Sequence, residues 1–143
     1  MNGSSPVRAL GAYGRGIDTL PPLERVVLLY DAALRFLEEA KRAAEAGEIE
    51  RRFRASERVR EIVRTLDSAL DRERGGEIAA RLARLYGYVE HRLTALNIRN
   101  DPAIAEELSE LLRTLREAWA RIARPAAAAP SRAAAPTGVR LSA

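Results

Sequence analysis

The chain has 143 residues, with 24 basic and 20 acidic side chains and no cysteine. This length suits one domain with a substantial core, and the lack of cysteine excludes disulfides, thiolate metal sites and cysteine nucleophiles. No apolar run reaches the roughly 20 residues that span a bilayer, and the N-terminus lacks the apolar stretch of a secretory signal peptide, so we expect a cytoplasmic protein without membrane insertion.

The excess of basic charge lies at the two ends of the chain. Of the 24 basic and 20 acidic residues, five arginines and Asp18 lie outside residues 19–123, which leaves 19 of each sign within that span. Phosphate binding depends on a concentrated basic surface. The sequence therefore does not predict a nucleic-acid partner.

The composition divides the chain into three parts. Residues 1–18 are rich in Gly and Ser with few apolar positions, and we predict a mobile N-terminal arm there. Residues 125–143 are mostly Ala, Pro, Ser and Arg. Such a segment buries too little apolar area to offset its ordering entropy, so we predict a disordered tail. The domain between them spans residues 19–124.

Apolar residues recur every three or four positions in four segments of this domain, which is the spacing of helices. The predicted helices cover about 21–46, 48–74, 77–97 and 102–123. Gly47 and Gly75-Gly76 are predicted to end the first two helices, and Asn100-Asp101 to cap the fourth. Because the connections are short, successive helices pack antiparallel. The predicted fold is an all-α, up-and-down four-helix bundle.

The apolar faces of these helices are broader than the roughly 100° stripe that closes a bundle core. Extra apolar residues include Val27, Leu28, Leu34, Phe36, Leu85 and Leu111. On the second helix the apolar side is assigned to Ile49, Phe53, Val59, Val63, Leu66 and Leu70. Such width indicates a broad core, a fifth packed element, an oligomer contact or a groove for a partner's amphipathic helix.

Several strings of residues carry a family resemblance. They are Leu28-Leu29-Tyr30-Asp31 with Ala33 to Leu37, Gly75 to Ala79 with Leu82, Leu85-Tyr86, Tyr88 and Arg92-Leu93, and Leu115 to Trp119. In this order and spacing they resemble the flagellar export chaperone family FliS. The resemblance implies a non-enzymatic cytoplasmic chaperone that binds the C-terminal helical region of flagellin, prevents premature polymerisation and keeps flagellin competent for type III export. It also implies delivery to the export-gate protein FlhA and a homodimer when free.

The resemblance also suggests where flagellin binds. Ala12-Tyr13 matches an Ala-Tyr pair near the start of family members, and Tyr13 and Ile17 are candidate contacts on an arm that covers part of the groove. The alternative is that Tyr13 is exposed in a mobile terminus. Candidate groove residues on the third helix are Leu82, Leu85, Val89, Leu93 and Leu96, some of which face the interior if the core is simply broad.

Other matching residues have structural interpretations. Tyr30, Tyr86 and Trp119 fall on core stripes, where each would pack with a hydrogen-bond partner for its polar atom. Asp31 lies within a helix and is expected to cap or to pair with an arginine such as Arg92. Asn97 and Asp101 are interpreted as helix-terminal residues.

Two other classes of function are a metal-dependent enzyme and a helical adaptor. A di-metal enzyme in a four-helix bundle uses Glu-x-x-His pairs, but the chain has one histidine, His91, with Tyr88 three residues before it. We therefore predict no metal, no cofactor and no catalysis, with His91 on the outer face. A helical adaptor or dimerisation module without flagellin binding would explain the broad apolar faces equally well.

Overall fold

The structure is a computed structural model that describes the backbone of residues 22–134 and the side chains of residues 22–123. It contains four helices: α1 (Pro22–Ala46), α2 (Ile49–Ser68), α3 (Arg72–Arg99) and α4 (Pro102–Ala134). Each helix packs against its neighbour in sequence, and α4 returns beside α1. The predicted antiparallel four-helix bundle is confirmed. Tyr13, Ile17 and the proposed arm lie outside the described residues, as do residues 135–143.

At two of the three connections, the helices end or begin beside the residues that the sequence predicted. Gly47 has a φ of 70° just after α1, and Asn100 has a φ of 51° just after α3. Both lie in the left-handed region that ends helices. Asp101 then accepts a hydrogen bond from the Ala103 amide at 2.9 Å, which satisfies a donor in the first turn of α4.

The connection between α2 and α3 differs from the prediction. The second helix ends at Ser68 instead of Arg74, and α3 already begins at Arg72. Asp71 accounts for this early start because its carboxylate accepts a hydrogen bond from the Arg74 amide at 3.0 Å. The glycines fall inside the new helix, where Gly76 adopts φ 50° and ψ −123° and produces a kink.

The fourth helix also extends further than predicted. It continues to Ala134, whereas the sequence analysis ended it at about Ala123 and began a disordered tail at residue 125. Residues 125–134 are largely alanine, the residue with the highest helix propensity. Pro125 and Pro130 also lie in this stretch and oppose a helix interior, so local propensity does not explain the extension.

The helices are not packed equally closely. Helix α1 lies closest to α2 and α4, whereas α3 and α4 form the most loosely packed neighbouring pair. The inner side of α1 explains its close packing, since it includes the buried alanines Ala32, Ala33, Ala40, Ala43 and Ala44. Small side chains let two helix backbones approach closely. The larger core residues are Leu29, Tyr30, Leu37, Val59, Ile62, Val63, Leu66, Leu82, Tyr86, Val89, Leu93, Leu96, Ile104, Leu108 and Leu112.

The N-terminal part of α2 faces the core with different residues from those predicted. Ile49 and Phe53, assigned to its apolar side, are 65% and 51% exposed. Arg52 and Ser56 point inward instead and are 6% and 0% exposed. The reason is the polar environment at this end of the bundle, described below.

Candidate functional site

Three of the residues that carry the family resemblance meet at one place in the core. The hydroxyls of Tyr30 on α1 and Tyr86 on α3 are 2.7 Å apart and hydrogen-bonded. Trp119 on α4 packs against the same core, and its indole is near enough to the Tyr30 hydroxyl to oppose part of the pKa rise that burial causes. Burial raises the pKa of both tyrosines above the ordinary value of 10.0. The predicted core positions are confirmed, and together the three residues join α1, α3 and α4.

The pairing of Asp31 differs from the expectation. Its carboxylate accepts two hydrogen bonds from Arg116 on α4, at 2.8 and 3.4 Å, and Arg92 is not its partner. Lys41 reaches Glu106 at 3.1 Å and forms a second ion pair between α1 and α4. Because both pairs are partly exposed, their main effect is to fix the register of the two helices.

A buried polar cluster joins the helix ends beside the α1–α2 and α3–α4 turns. The Arg52 guanidinium donates to the side-chain oxygens of Asn97, at 3.0 Å, and of Asn100. The Asn97 amide donates to Ser56 at 2.8 Å, and the Asn100 amide donates to the Ala44 carbonyl at 3.1 Å. We call these residues the Arg52 cluster. Asn97 therefore connects helices and does not end one.

The predicted inner side of α2 did not include Arg52, because it was assigned from apolar residues and arginine usually lies on the surface. A signal was present, since Arg52 and Ser56 are in phase with the buried Val59 and Val63 on one face of α2. An arginine on an apolar face predicts buried polar partners elsewhere in the chain. Only the structure shows which residues they are.

The loosely packed pair α3 and α4 is bridged by Glu107. Arg92 donates to its Oε1 at 3.0 Å, and the Tyr88 hydroxyl donates to its Oε2. The hydrogen bond with Glu107 raises the pKa of Tyr88. The same bond lowers the pKa of Glu107, and Arg92 acts in the same direction. We call this group the Glu107 bridge, and it shows which side of α3 faces which side of α4.

Apolar side chains occupy the same two helix faces beyond this bridge. We define the α3–α4 seam as Ile78, Leu85 and Tyr88 on α3 with Leu111, Leu115 and Ile122 on α4. Counted outward from Tyr88 and from Glu107, successive residues of the seam lie three, four or seven positions apart, which keeps them on those faces. Ile78 is 69% and Ile122 56% exposed, and Leu85, Leu111 and Leu115 are partly buried against the core. The seam is therefore an apolar strip that the bundle leaves incompletely covered.

The predicted groove residues divide between this seam and the interior. Leu85 belongs to the seam, while Leu82 lies just beneath it with 8% of its surface exposed. The other three, Val89, Leu93 and Leu96, have no exposed surface. Helical periodicity placed all five on one broad face of α3, and only the position of α4 separates those it covers from those it leaves open.

A second surface lies along α2 beside α1, where one depression is lined by α2 residues alone and the adjoining one by residues of both helices. Phe36 and Phe53 line two adjoining depressions of about 320 and 260 Å³, with Arg54 and Arg58 lining both. The Arg58 guanidinium lies 5.9 Å from the centre of the Phe36 ring, over its face. This α1–α2 groove carries charges of both signs, because Glu39, Glu57 and Glu61 also line it. It is more polar than the α3–α4 seam.

The described residues offer no arrangement that suggests a metal centre. Among side chains 22–123, no three His, Cys, Asp or Glu residues are grouped to hold a metal ion. His91 is exposed on the outside of α3, as predicted. Over the part of the chain that is described, none of the helices has an apolar stretch long enough to cross a membrane.

Comparison with known proteins gives a consistent result. The family described as "Flagellar protein FliS" matches residues 11–126. The Flagellar secretion chaperone FliS of Salmonella typhimurium is 37% identical over 112 residues, covering 78% of this chain and 83% of the relative. The protein of the same name in Vibrio cholerae is 31% identical over 122 residues, covering 85% and 90%. That of Bacillus subtilis is 29% identical over 103 residues, covering 72% and 76%.

Proposed function

The chain belongs to the FliS family of flagellar secretion chaperones, and we propose that it binds the C-terminal helical region of flagellin through the α3–α4 seam. In the cytoplasm this binding covers the apolar face through which flagellin subunits associate. Flagellin therefore stays unpolymerised and competent for type III export. The observation that carries the proposal is the incompletely covered apolar strip between the two most loosely packed helices.

The chemistry of the seam suits an amphipathic helix. Its apolar residues recur at spacings of three, four and seven on both helices, which is how one helix packs into a groove between two others. Leu85 and Leu115 form the floor of such a groove, while Ile78 and Ile122 stand exposed at its far end. Burial of exposed isoleucine side chains by a client helix provides binding free energy.

Tyr13 and Ile17 complete the proposed site from the N-terminal arm. The arm joins α1 at Pro22, at the same end of the bundle as Ile78 and Ile122. We propose that Tyr13 and Ile17 contact the seam in the free protein or contact flagellin in the complex.

Two further contacts belong to the same proposal. We propose delivery of the loaded chaperone to FlhA from the family resemblance, and self-association of the free chaperone from the exposed apolar strip. The competing interpretation is a helical adaptor or dimerisation module that does not bind flagellin. It predicts a stable bundle that self-associates but leaves flagellin polymerisation unchanged.

The test is calorimetric titration of the full chain with the C-terminal fragment of flagellin from the same organism. We expect a one-to-one complex. The double variant Ile78→Ser/Ile122→Ser removes the two exposed seam residues, each contributing about 1 kcal/mol when buried by the client. Binding should therefore weaken about thirtyfold. The matched control is Phe53→Ser, which removes a side chain of similar exposure from the α1–α2 groove.

The outcomes separate the candidate surfaces. Weaker binding in the seam variant, with unchanged binding in Phe53→Ser, supports the proposal. The reverse pattern assigns flagellin to the α1–α2 groove. A folded wild-type chain that does not bind the fragment leaves the adaptor interpretation. Circular dichroism of each variant establishes that a loss of binding is not a loss of folding.

A further inference from the structure

Packing between α3 and α4 changes along the length of the pair. Next to the α3–α4 turn the core side chains are almost completely enclosed, namely Leu93, Leu96, Ile104 and Leu108. Further along, Leu85 and Leu115 are only partly buried. At the far end Ile78 and Ile122 are mostly exposed. The exposure of the residues along the seam therefore increases away from the turn.

The Glu107 bridge lies where this change occurs. Within residues 22–123, both side-chain hydrogen bonds that join α3 to α4 end on the Glu107 carboxylate, from Tyr88 and Arg92. Leu93, Leu96 and Ile104 lie on the turn side of the bridge, and Leu108 is adjacent to Glu107. The partly covered residues Leu111 and Leu115 follow Glu107 by one and two helical turns on the other side.

The α3–α4 pair differs from the neighbouring helix pairs because its side-chain hydrogen bonds, within residues 22–123, all involve Glu107. Helices α2 and α3 are joined at separate levels, by Arg60 and Arg64 to Glu90 and by the Arg52 cluster. Helices α1 and α4 are joined at two levels, by the ion pairs of Asp31 and Lys41. Substitution of Glu107 therefore removes all the side-chain hydrogen bonding seen between α3 and α4.

We propose that Glu107 closes the turn-proximal end of the α3–α4 seam and thereby sets the length of client helix that the seam admits. This inference rests on the proposed function, because it assigns a positioning role within the same binding site. Glu107 does not need to contact the client. It acts through Arg92 and Tyr88, which keep α3 against α4 over the interior residue Val89.

The strength of the bridge suits such a role. The Glu107 and Arg92 side chains are 39% and 25% exposed, so their ion pair is partly screened by water. Partly exposed ion pairs shift equilibria by factors of about two to five. Such a bridge keeps the turn-proximal end of the seam closed in most free molecules. A client helix that makes apolar contacts there can break the hydrogen bonds to Glu107.

The first test is amide hydrogen exchange of the free full chain. We expect Glu107→Ala to accelerate exchange in residues 85–93 about two- to fivefold, while residues 49–66 of α2 remain unchanged. Glu106→Ala is the matched control, because the adjacent carboxylate pairs with Lys41 on α1 instead of with α3. Unchanged exchange in Glu107→Ala, or an equal acceleration in both variants, overturns the inference.

The second test measures affinity for C-terminal flagellin fragments of increasing helical length. In Glu107→Ala the longest fragments should bind about two- to fivefold more tightly than they bind wild type, and the shortest should bind equally. Tyr88→Phe combined with Arg92→Ala removes the same bridge from α3, so adding Glu107→Ala to that variant should have no further effect.

The two proposals fail in distinguishable ways. A wild-type chain that binds no flagellin fragment overturns the proposed function and with it the assignment of Glu107 to client binding. A wild-type chain that binds flagellin, with Glu107→Ala unchanged in both exchange and length dependence, overturns the role of Glu107 alone.

Discussion

The two ends of the bundle are built in opposite ways. At the end with the α1–α2 and α3–α4 turns, Arg52 is buried and its guanidinium connects two asparagines near both turns. At the other end, Gly76 kinks α3, and Ile78 and Ile122 remain exposed. The first end carries the buried hydrogen bonds that specify the fold, while the second carries apolar surface that the fold leaves uncovered. A small bundle can thus keep a binding surface open because its stability is concentrated elsewhere.

The largest effect in this comparison is expected from Arg52→Ala. The substitution removes a buried guanidinium that donates hydrogen bonds to Asn97 and Asn100, and hydrogen bonds from a charged group contribute more to stability than those between neutral groups. We expect the free energy of unfolding to fall by about 2–4 kcal/mol, measured by denaturant titration. The matched control, Arg54→Ala, changes an arginine whose side chain is 70% exposed, and its effect should stay within about 0.5 kcal/mol. Equal effects of the two variants would contradict a stabilising Arg52 cluster.

The buried tyrosine pair lies between the two ends and gives a prediction about pH. Burial raises the pKa of Tyr30 and Tyr86 in the folded protein, so the unfolded chain releases these protons first. Their contribution to stability is complete below the ordinary pKa of 10.0 and is lost as the pH rises above it. We therefore expect the free energy of unfolding to decline as the pH rises above about 10.

Tyr86→Phe tests this assignment. The variant should lose about 1 kcal/mol near neutral pH, because the Tyr30 hydroxyl loses a buried partner. It should also decline less steeply above pH 10 than wild type, because only one of the two buried phenols remains to titrate on unfolding. Denaturant titrations at several pH values measure both effects. Parallel declines in the two proteins would show that other groups cause the alkaline sensitivity.

The smallest effect is expected at the open end, from Gly76→Ala. Its φ of 50° is unfavourable for a residue with a side chain, at a cost of about 1 kcal/mol. Gly87→Ala is a control in the same helix, where an added methyl group meets no neighbour within 4 Å and should stabilise the helix by about 0.5–1 kcal/mol. Thermal unfolding should therefore move in opposite directions for the two variants. A stabilised Gly76→Ala would contradict the kinked backbone.

The sequence predicted the architecture well because its signals are local. Gly47, Asn100 and Asp101 end or begin helices through their own backbone conformations and nearby hydrogen bonds. The α2–α3 connection was misplaced because the Gly75-Gly76 pair is the stronger sequence signal. Asp71 caps α3, which begins at Arg72, before the glycine pair.

The candidate site was less predictable. Ile49 and Phe53 fit the apolar pattern of α2 and are exposed, while Arg52 breaks the pattern and is buried. Among the predicted groove residues, Leu85 lies at the seam, but Val89, Leu93 and Leu96 lie in the interior. Their roles differ because of where α4 lies, which no pattern within α3 specifies.

The sequence by itself determined the four helices, most of their ends and the broad apolar side of each, since helical periodicity and capping act over a few neighbouring residues. Only the tertiary structure decided that Asp31 pairs with Arg116 and Arg52 with Asn97, across 85 and 45 positions of the chain. It also decided which residues of α3 and α4 remain exposed beyond Glu107. These features depend on how whole helices fit against one another. Because the interior is closely packed, the positions of all four helices together decide which side chains are buried.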